Sequence, residues 1–351
     1  MFTDIKYRDT INQENYVFID VRSPKEYKEA TISGAINIPL FDDDEREKVG
    51  TVYKEKGPHK ASQIGLEIVS PKIPVLMESI NNSIEYQQKP IFFCWRGGMR
   101  SKTMATLYDL IYPREVYRLE GGYRAYREFI LQKIEETRIE IPVFVLHGMT
   151  GVGKTLLLDK LKNKGIFTIN LEGLAGHRGS IFGGIGDVNP VNQKSFDSGI
   201  YELLKDISEK EAMVIEAESK RIGKITIPEN VLNAKENGNH ILVYASIDKR
   251  VERILNEYNP LENKEDIFAA LKRIEQRLPT ETRQIIFHAF EDNDFDTIVR
   301  LLLIHYYDPR YQHSTDQYSG EFFTVNSDDL DKAADEISQI IMYKIFHLSS
   351  N

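Results

Sequence analysis

Cys94, the only cysteine in the chain, ends an apolar run at 91–94 and is followed by Trp95, Arg96, Gly97, Gly98, Met99, Arg100 and Ser101. A cysteine after a strand, with two glycines that allow unusual turns and a helix starting near Arg100, is ringed by backbone N–H donors. Such a ring, with Arg96 and Arg100 nearby, stabilises negative charge on the sulfur, and the thiolate is the reactive form. It equally holds an oxyanion, or a second chalcogen atom carrying negative charge. The plain alternative for a free thiol is a buried, inert side chain. A second constellation runs from Gly148 through Met149, Thr150, Gly151, Val152 and Gly153 to Lys154 and Thr155, and fits G-x-x-x-x-G-K-[ST] completely. Amides of such a loop bind phosphate oxygens, Lys154 adds a point charge, and Thr155 is the expected ligand for Mg²⁺. Nucleotide hydrolysis also needs an acidic metal partner. Glu216 and Glu218 close the apolar run at 212–215 and are the candidates, the ordinary alternative being exposed strand-end charge.

The elements that must carry these loops alternate along both halves. Runs at 16–20, 35–40, 91–94 and 115–119 read as strands and are separated by helical spacing, which predicts a parallel sheet with helices on its faces. A long helix from about 125 stops near Pro142, placing a boundary at about 135–141 and domains at 1–138 and 139–351. Strand–helix alternation then restarts with strands at 143–147, 166–172, 212–219 and 240–246. Helical spacing holds from Asp248 to about Tyr307, and the end reads as a strand and a last helix capped by Ser327 or Asp328. The expectation is an α/β chain, its second domain helical toward the C-terminal end. The glycine-dense stretch 173–190 is the least regular part, and long irregular loops are more often functional than accidental.

At 351 residues the chain suits two cores rather than one. With 41% hydrophobic and 28% charged residues it is expected to be soluble, cytoplasmic and without a membrane span or secretory signal. A single cysteine fits a reducing compartment and excludes a cysteine-rich zinc site. The net charge of −9 argues against a general nucleic-acid coat. Residues 94–127 nevertheless hold seven basic side chains against three acidic ones, a local basic stretch that is either a nucleic-acid face or a solvated helix surface.

The Cys94 loop alone leaves the reaction open. As Cys-x5-Arg, with Arg100 clamping phosphate oxygens, it suits a cysteine phosphatase, although Phe93 stands where histidine is usual. Upstream, Asp20-Val21-Arg22-Ser23-Pro24, Glu26-Tyr27 and the run from Gly34 to Pro39 resemble the rhodanese pattern, in which a cysteine carries sulfane sulfur. A rhodanese-like parallel-sheet domain joined to a P-loop NTPase-like α/β domain resembles the tRNA 2-selenouridine synthase family. Further resemblances are the insertion from Asp42 to Leu66, the segment from Leu119 to Tyr123, and the loop His177-Arg178-Gly179-Ser180 with Phe182-Gly183. To these add Glu216 with Glu218 to Gly223, and Tyr307-Asp308-Pro309-Arg310-Tyr311. Ala217 stands where that family has aspartate, and Asn170 replaces an acidic residue, which leaves Glu216 or Glu218 as the metal's carboxylate.

The resemblance implies conversion of wobble-position 2-thiouridine in tRNA to 2-selenouridine, by S-geranylation from geranyl diphosphate and then selenation from selenophosphate. Cys94 would carry selenium as a perselenide, with Gly97, Gly98, Arg100, Ser101 and more weakly Arg96 stabilising its charge. Gly148, Gly151, Gly153, Lys154 and Thr155 would hold the diphosphate, with Mg²⁺. His177, Arg178, Arg221, Arg118 and Arg124 are candidates for contact with tRNA. A monomer served by a selenophosphate-producing enzyme is expected. A sulfurtransferase or phosphatase with a regulatory nucleotide domain, a P-loop kinase with a sensing module, and a non-catalytic binding protein are the competing classes.

Overall fold

The computed structural model describes residues 1–11, 13–178, 180–186, 191–310 and 322–348. Two compact units emerge, Met1–Glu136 with Asp197–Tyr201, and Thr137–Phe196 with Glu202–Asn351.

The first unit is built on β1 (Thr3–Ile5), β2 (Tyr16–Asp20), β3 (Ile36–Asn37), β4 (Lys89–Phe93) and β5 (Tyr117–Leu119), in the order β1-β5-β4-β2-β3 with every pairing parallel. Its helices are α1 (Pro24–Glu29), α2 (Asp43–Val69), α3 (Ile73–Asn82), α4 (Met99–Ile111) and α5 (Gly122–Glu136). Ile91, Phe92 and Phe93 are fully buried, as strands of a sheet covered on both faces must be. The segment from Asp42 onward is the long helix α2, opened by a capping box in which Asp42 accepts from the Glu45 N–H and Glu45 from the Asp42 N–H. The helix expected to reach Pro142 ends at Glu136, and residues 137–142, without regular secondary structure, lead to β6.

The second unit has a parallel sheet of β6 (Val143–His147), β7 (Phe167–Ile169), β8 (Met213–Glu216), β11 (Asn239–Tyr244) and β12 (Phe322–Asn326), ordered β12-β11-β6-β8-β7. A short antiparallel pair, β9 (Arg221–Ile222) and β10 (Ile225–Thr226), stands apart. Its helices run α6 (Lys154–Asn163), α7 (Leu171–Ala175), α8 (Gln193–Leu204), α9 (Glu229–Glu236), α10 (Ile247–Tyr258), α11 (Lys264–Ile274), α12 (Thr280–Glu291), α13 (Phe295–Leu302) and α14 (Leu330–Leu348). Helices α10–α13 lie in sequence between β11 and β12, so the helical region interrupts the sheet before its edge strand. With Phe182 and Ile185 of the glycine-rich loop, α11–α13 enclose a core of their own. The cap of α14 is neither Ser327 nor Asp328. Asp329 takes that place, its Oδ1 accepting from the Asp331 and Lys332 N–H groups at 3.1 and 3.2 Å.

Candidate functional site

In the first unit the cysteine loop leaves β4 and enters α4. Cys94 is buried, its Sγ 3.2 Å from the Gly98 N–H and 3.3 Å from the Ser101 hydroxyl, whose oxygen also lies 3.2 Å from the Gly98 carbonyl. The loop is closed from behind by the segment after β5. The Tyr123 N–H donates to Cys94 O at 2.9 Å and the Arg124 N–H to Trp95 O at 3.0 Å. That approach requires glycine at 122, where φ is +61° and a Cβ would overlap Cys94 O and Gly97 N. The Gly-Gly pair after β5 is therefore part of the loop's support.

Asp20 and Arg22 form a buried pair, Nη2 to Oδ2 at 2.6 Å. Thr31 donates to Asp20, Arg22 donates to Ala30 O, and the Arg22 guanidinium stacks 4.3 Å from the Tyr123 ring centre. The pair ties β2 to the start of α5, and so to the loop's support.

The arginines expected at the anion are placed differently from one another. Arg96 is exposed beside the loop. Arg100 makes two bonds to Glu26, at 2.5 and 3.2 Å, so its charge is matched within the protein. Burial opposes ionisation of Glu26, but the bonds and charge of Arg100, with the Ser23 N–H and Arg46, hold its carboxyl below the ordinary value. Of the seven basic residues in 94–127, Arg118 pairs with Asp4, Arg124 with Glu128 and Arg127 with Asp197, beside Arg100 with Glu26. The stretch is thus mostly matched charge rather than an open basic face.

In the second unit the loop 148–153 joins β6 to α6, and Lys154 Nζ donates back to Gly148 O at 2.9 Å. Gly148 has φ +150°, and a Cβ there would overlap the Val243 carbonyl of β11, so the loop lies directly on the neighbouring strand. Its carbonyls are clamped from outside: Arg250 donates to Thr150 O at 2.8 Å, Arg253 to Val152 O at 2.8 Å, and the Ser327 hydroxyl to Val152 O at 2.7 Å. Arg250 is itself held by both carboxylate oxygens of Asp308, at 3.0 and 2.6 Å. Turning these carbonyls outward leaves the loop's amides for an anion.

Glu216, last in β8, is fully buried. Its Oε1 accepts from the Glu172 N–H at 2.7 Å, and its Oε2 has no partner among the described residues. Burial, then the Glu218 charge, push its carboxyl up to about 7, against the Glu172 N–H and Lys154. Glu172 on α7 is pushed up to about 8 by burial and by Glu218 and Glu216. Glu218 is half-buried, and its carbonyl accepts from the buried Lys235 of α9. Glu172 thus joins Glu216 and Glu218 in an acidic group beside Lys154, a role that its sequence position did not suggest. Asn170 caps α7, accepting from the Gly173 N–H at 2.6 Å. At the end of β6, His147 Nε2 lies 2.8 Å from His240 Nδ1. Burial, with His240 and the lysines, drives His147 down to about 3, so it is neutral behind the loop.

The orphaned Glu216 Oε2 and the Thr155 hydroxyl are hard oxygen donors of the kind Mg²⁺ takes together with phosphate oxygens and water. Among the described residues no three His, Cys, Asp or Glu side chains converge to hold an ion by themselves. Of the remaining candidates, the His177 ring packs against Gly223 between β9 and β10, and Arg221 is exposed. Arg178 pairs with Glu257 at 2.6 Å, donates to Ile185 O and lies over the Tyr258 ring. Gly179 and Tyr311 fall outside the described residues. No helix among those described is long and apolar enough to cross a membrane.

Comparison with known proteins agrees with both halves. Residues 5–129 match the rhodanese-like domain, and residues 141–340 match the tRNA 2-selenouridine synthase AAA domain. The chain is 32% identical over 333 residues to the tRNA 2-selenouridine synthase of Sulfurovum sp. (strain NBC37-1), covering 86% of this chain and 90% of that one. It is 32% identical over 346 residues to that of Hydrogenovibrio crunogenus (strain DSM 25203 / XCL-2), covering 89% and 94%. A third, from Shewanella halifaxensis (strain HAW-EB4), is 30% identical over 336 residues. A cysteine loop on one parallel sheet and a phosphate loop on another, matched over nearly the whole length of such relatives, make this chain a member of the tRNA 2-selenouridine synthase family.

Proposed function

We propose that this chain converts 2-thiouridine at the wobble position of tRNA to 2-selenouridine in two steps, with domains at 1–138 and 139–351. In the first, the thione sulfur's lone pair attacks C1 of geranyl diphosphate. The S–C bond forms as the C–O bond breaks, diphosphate leaves with that electron pair, and the base loses its N3 proton to solvent. The amides of 148–153 and Lys154 bind the leaving diphosphate and stabilise charge as it develops there. Mg²⁺ bound by Thr155 and Glu216 would supply further neutralisation of the same group. In the second, the Cys94 thiolate attacks phosphorus of selenophosphate, the S–P bond forming as the P–Se bond breaks, and the hydroselenide released attacks C2, where the C–Se bond forms as geranylthiolate leaves with the C–S electron pair and takes up a proton; water then frees Cys94 as phosphate departs. Gly98 and Ser101 hold charge at the sulfur, while Arg96 is the nearby cation left toward solvent.

The observation that carries this reading is the Cys94 Sγ held by an amide and a hydroxyl in a chain whose other unit bears a complete phosphate loop. Alkyl transfer at the phosphate loop requires no hydrolytic water, so an acidic group with raised carboxyls suits it. Reaction with 2-thiouridine tRNA, geranyl diphosphate and selenophosphate, followed by nucleoside mass spectrometry, tests it. Cys94→Ser is expected to accumulate geranylated tRNA without selenium, and Lys154→Ala to stop geranylation. Survival of both steps in Cys94→Ser refutes the assignment of that residue. ATP consumption stoichiometric with a phosphorylated product would favour the kinase reading instead.

A further inference from the structure

The loop that carries Cys94 has the Cys-x5-Arg spacing of a phosphate-binding loop, yet its arginine is already occupied. Both terminal nitrogens of Arg100 are bonded to Glu26, Nη1 to Oε2 at 2.5 Å and Nη2 to Oε1 at 3.2 Å. These are the groups that such a loop would turn on the oxygens of a tetrahedral anion. Glu26 is fixed by its surroundings. The buried Asp20–Arg22 pair at the end of β2 leads directly to Ser23, itself buried, which caps α1. The Ser23 N–H donates to Glu26 Oε2 at 3.3 Å, and Arg46 of α2 lies 3.5 Å from the same oxygen. The Glu26 and Arg100 side chains are 24% and 16% exposed, so water screens their charges only in part. An anion entering the loop against Arg100 would have to share it with this held carboxylate and would meet its negative charge at close range.

We infer that Glu26 is a specificity-determining residue of the Cys94 loop: it withholds Arg100 from tetrahedral oxyanions, so that inorganic phosphate is held weakly and released. The inference rests on the proposed selenium step for its purpose, because phosphate is what remains at that loop once selenium has left. The sulfur keeps its own support, the Gly98 N–H at 3.2 Å and the Ser101 hydroxyl at 3.3 Å, neither of which involves Arg100. Reactivity at the sulfur and grip on phosphoryl oxygens are thereby set by different residues. A loop with Arg100 released would bind orthophosphate, which resembles the donor in charge and shape, and would stall on its own product.

The test uses the full chain as wild type, Glu26→Gln, Glu26→Ala, and Glu26→Gln combined with Arg100→Gln, with thermal unfolding recorded for each. Protection of Cys94 against iodoacetamide is titrated with inorganic phosphate at constant ionic strength and without tRNA. Both single variants are expected to reach half-protection at about tenfold less phosphate than the wild type, the effect of one charge-assisted contact to an anion. The double variant should return to the wild-type concentration. In selenation of geranylated tRNA, phosphate should inhibit the single variants more strongly by the same factor. A damaged loop loses its grip on an anion rather than gaining one, so the sign of the change separates this role from support of the fold. Unchanged protection in folded single variants overturns the inference. So does weaker protection, which would make Glu26 the residue that presents Arg100 to the anion, and so does a gain that persists in the double variant. Each of these outcomes in a chain that still selenates tRNA leaves the proposed reaction standing. Tighter phosphate binding in the single variants of a chain that selenates no tRNA would refute the reaction and support the role of Glu26.

Discussion

Glu216→Gln should make the second unit more stable above neutral pH and less sensitive to pH below it. The Glu216 carboxyl titrates at about 7 in the folded chain against an ordinary 4.5. The folded state therefore keeps a proton that the unfolded chain releases above about pH 4.5. The resulting stability is fully present below that pH and is lost as pH rises through about 7. At about 1.4 kcal/mol per unit this amounts to roughly 3 kcal/mol over that interval. Glutamine keeps an oxygen for the Glu172 N–H and cannot ionise. Its amide nitrogen takes the place of the orphaned Oε2 and itself lacks an acceptor, at a cost of about 1 kcal/mol or more at every pH. The variant should then be the less stable protein at pH 5 and the more stable one at pH 8, by about 1–2 kcal/mol, with the profiles crossing between. A residual slope from Glu172, which titrates at about 8, should remain. The sole tryptophan, Trp95, reports on the first unit, so the assay is hydrogen exchange of peptides from β6 and β8 in graded urea. Parallel profiles for the two proteins would refute the account of Glu216.

Two perturbations address the cysteine loop. Gly122→Ala puts a Cβ against Cys94 O and Gly97 N at positive φ; it should lower first-unit stability by about 2 kcal/mol or more and slow alkylation of Cys94 by iodoacetamide, both read against Trp95 fluorescence. Unchanged alkylation would show that the segment after β5 does not set the loop. Glu26→Gln removes the partner of Arg100. The Glu26 carboxyl is held below its ordinary 4.5, so its contribution is present above pH 4.5 and is lost as pH falls through the depressed value. Acid unfolding followed by Trp95 should lose that component in the variant, and identical acid limbs would exclude it.

Much of the site was legible because its determinants are local. Cys94 with Gly97 and Gly98, and Gly148 through Thr155, specify their loops within a dozen residues, and the strands before them are apolar enough to read unaided. What was hidden depends on pairs brought together by the sheets. Arg100 was read as an anion ligand because nothing nearby in sequence balances it; its partner Glu26 lies 74 residues away, across β4 and β2. Ser327 looked like a helix cap because it precedes a helical run by a suitable interval. Folding instead buries it against Val152, 175 residues earlier, where its hydroxyl turns a loop carbonyl away from the anion site.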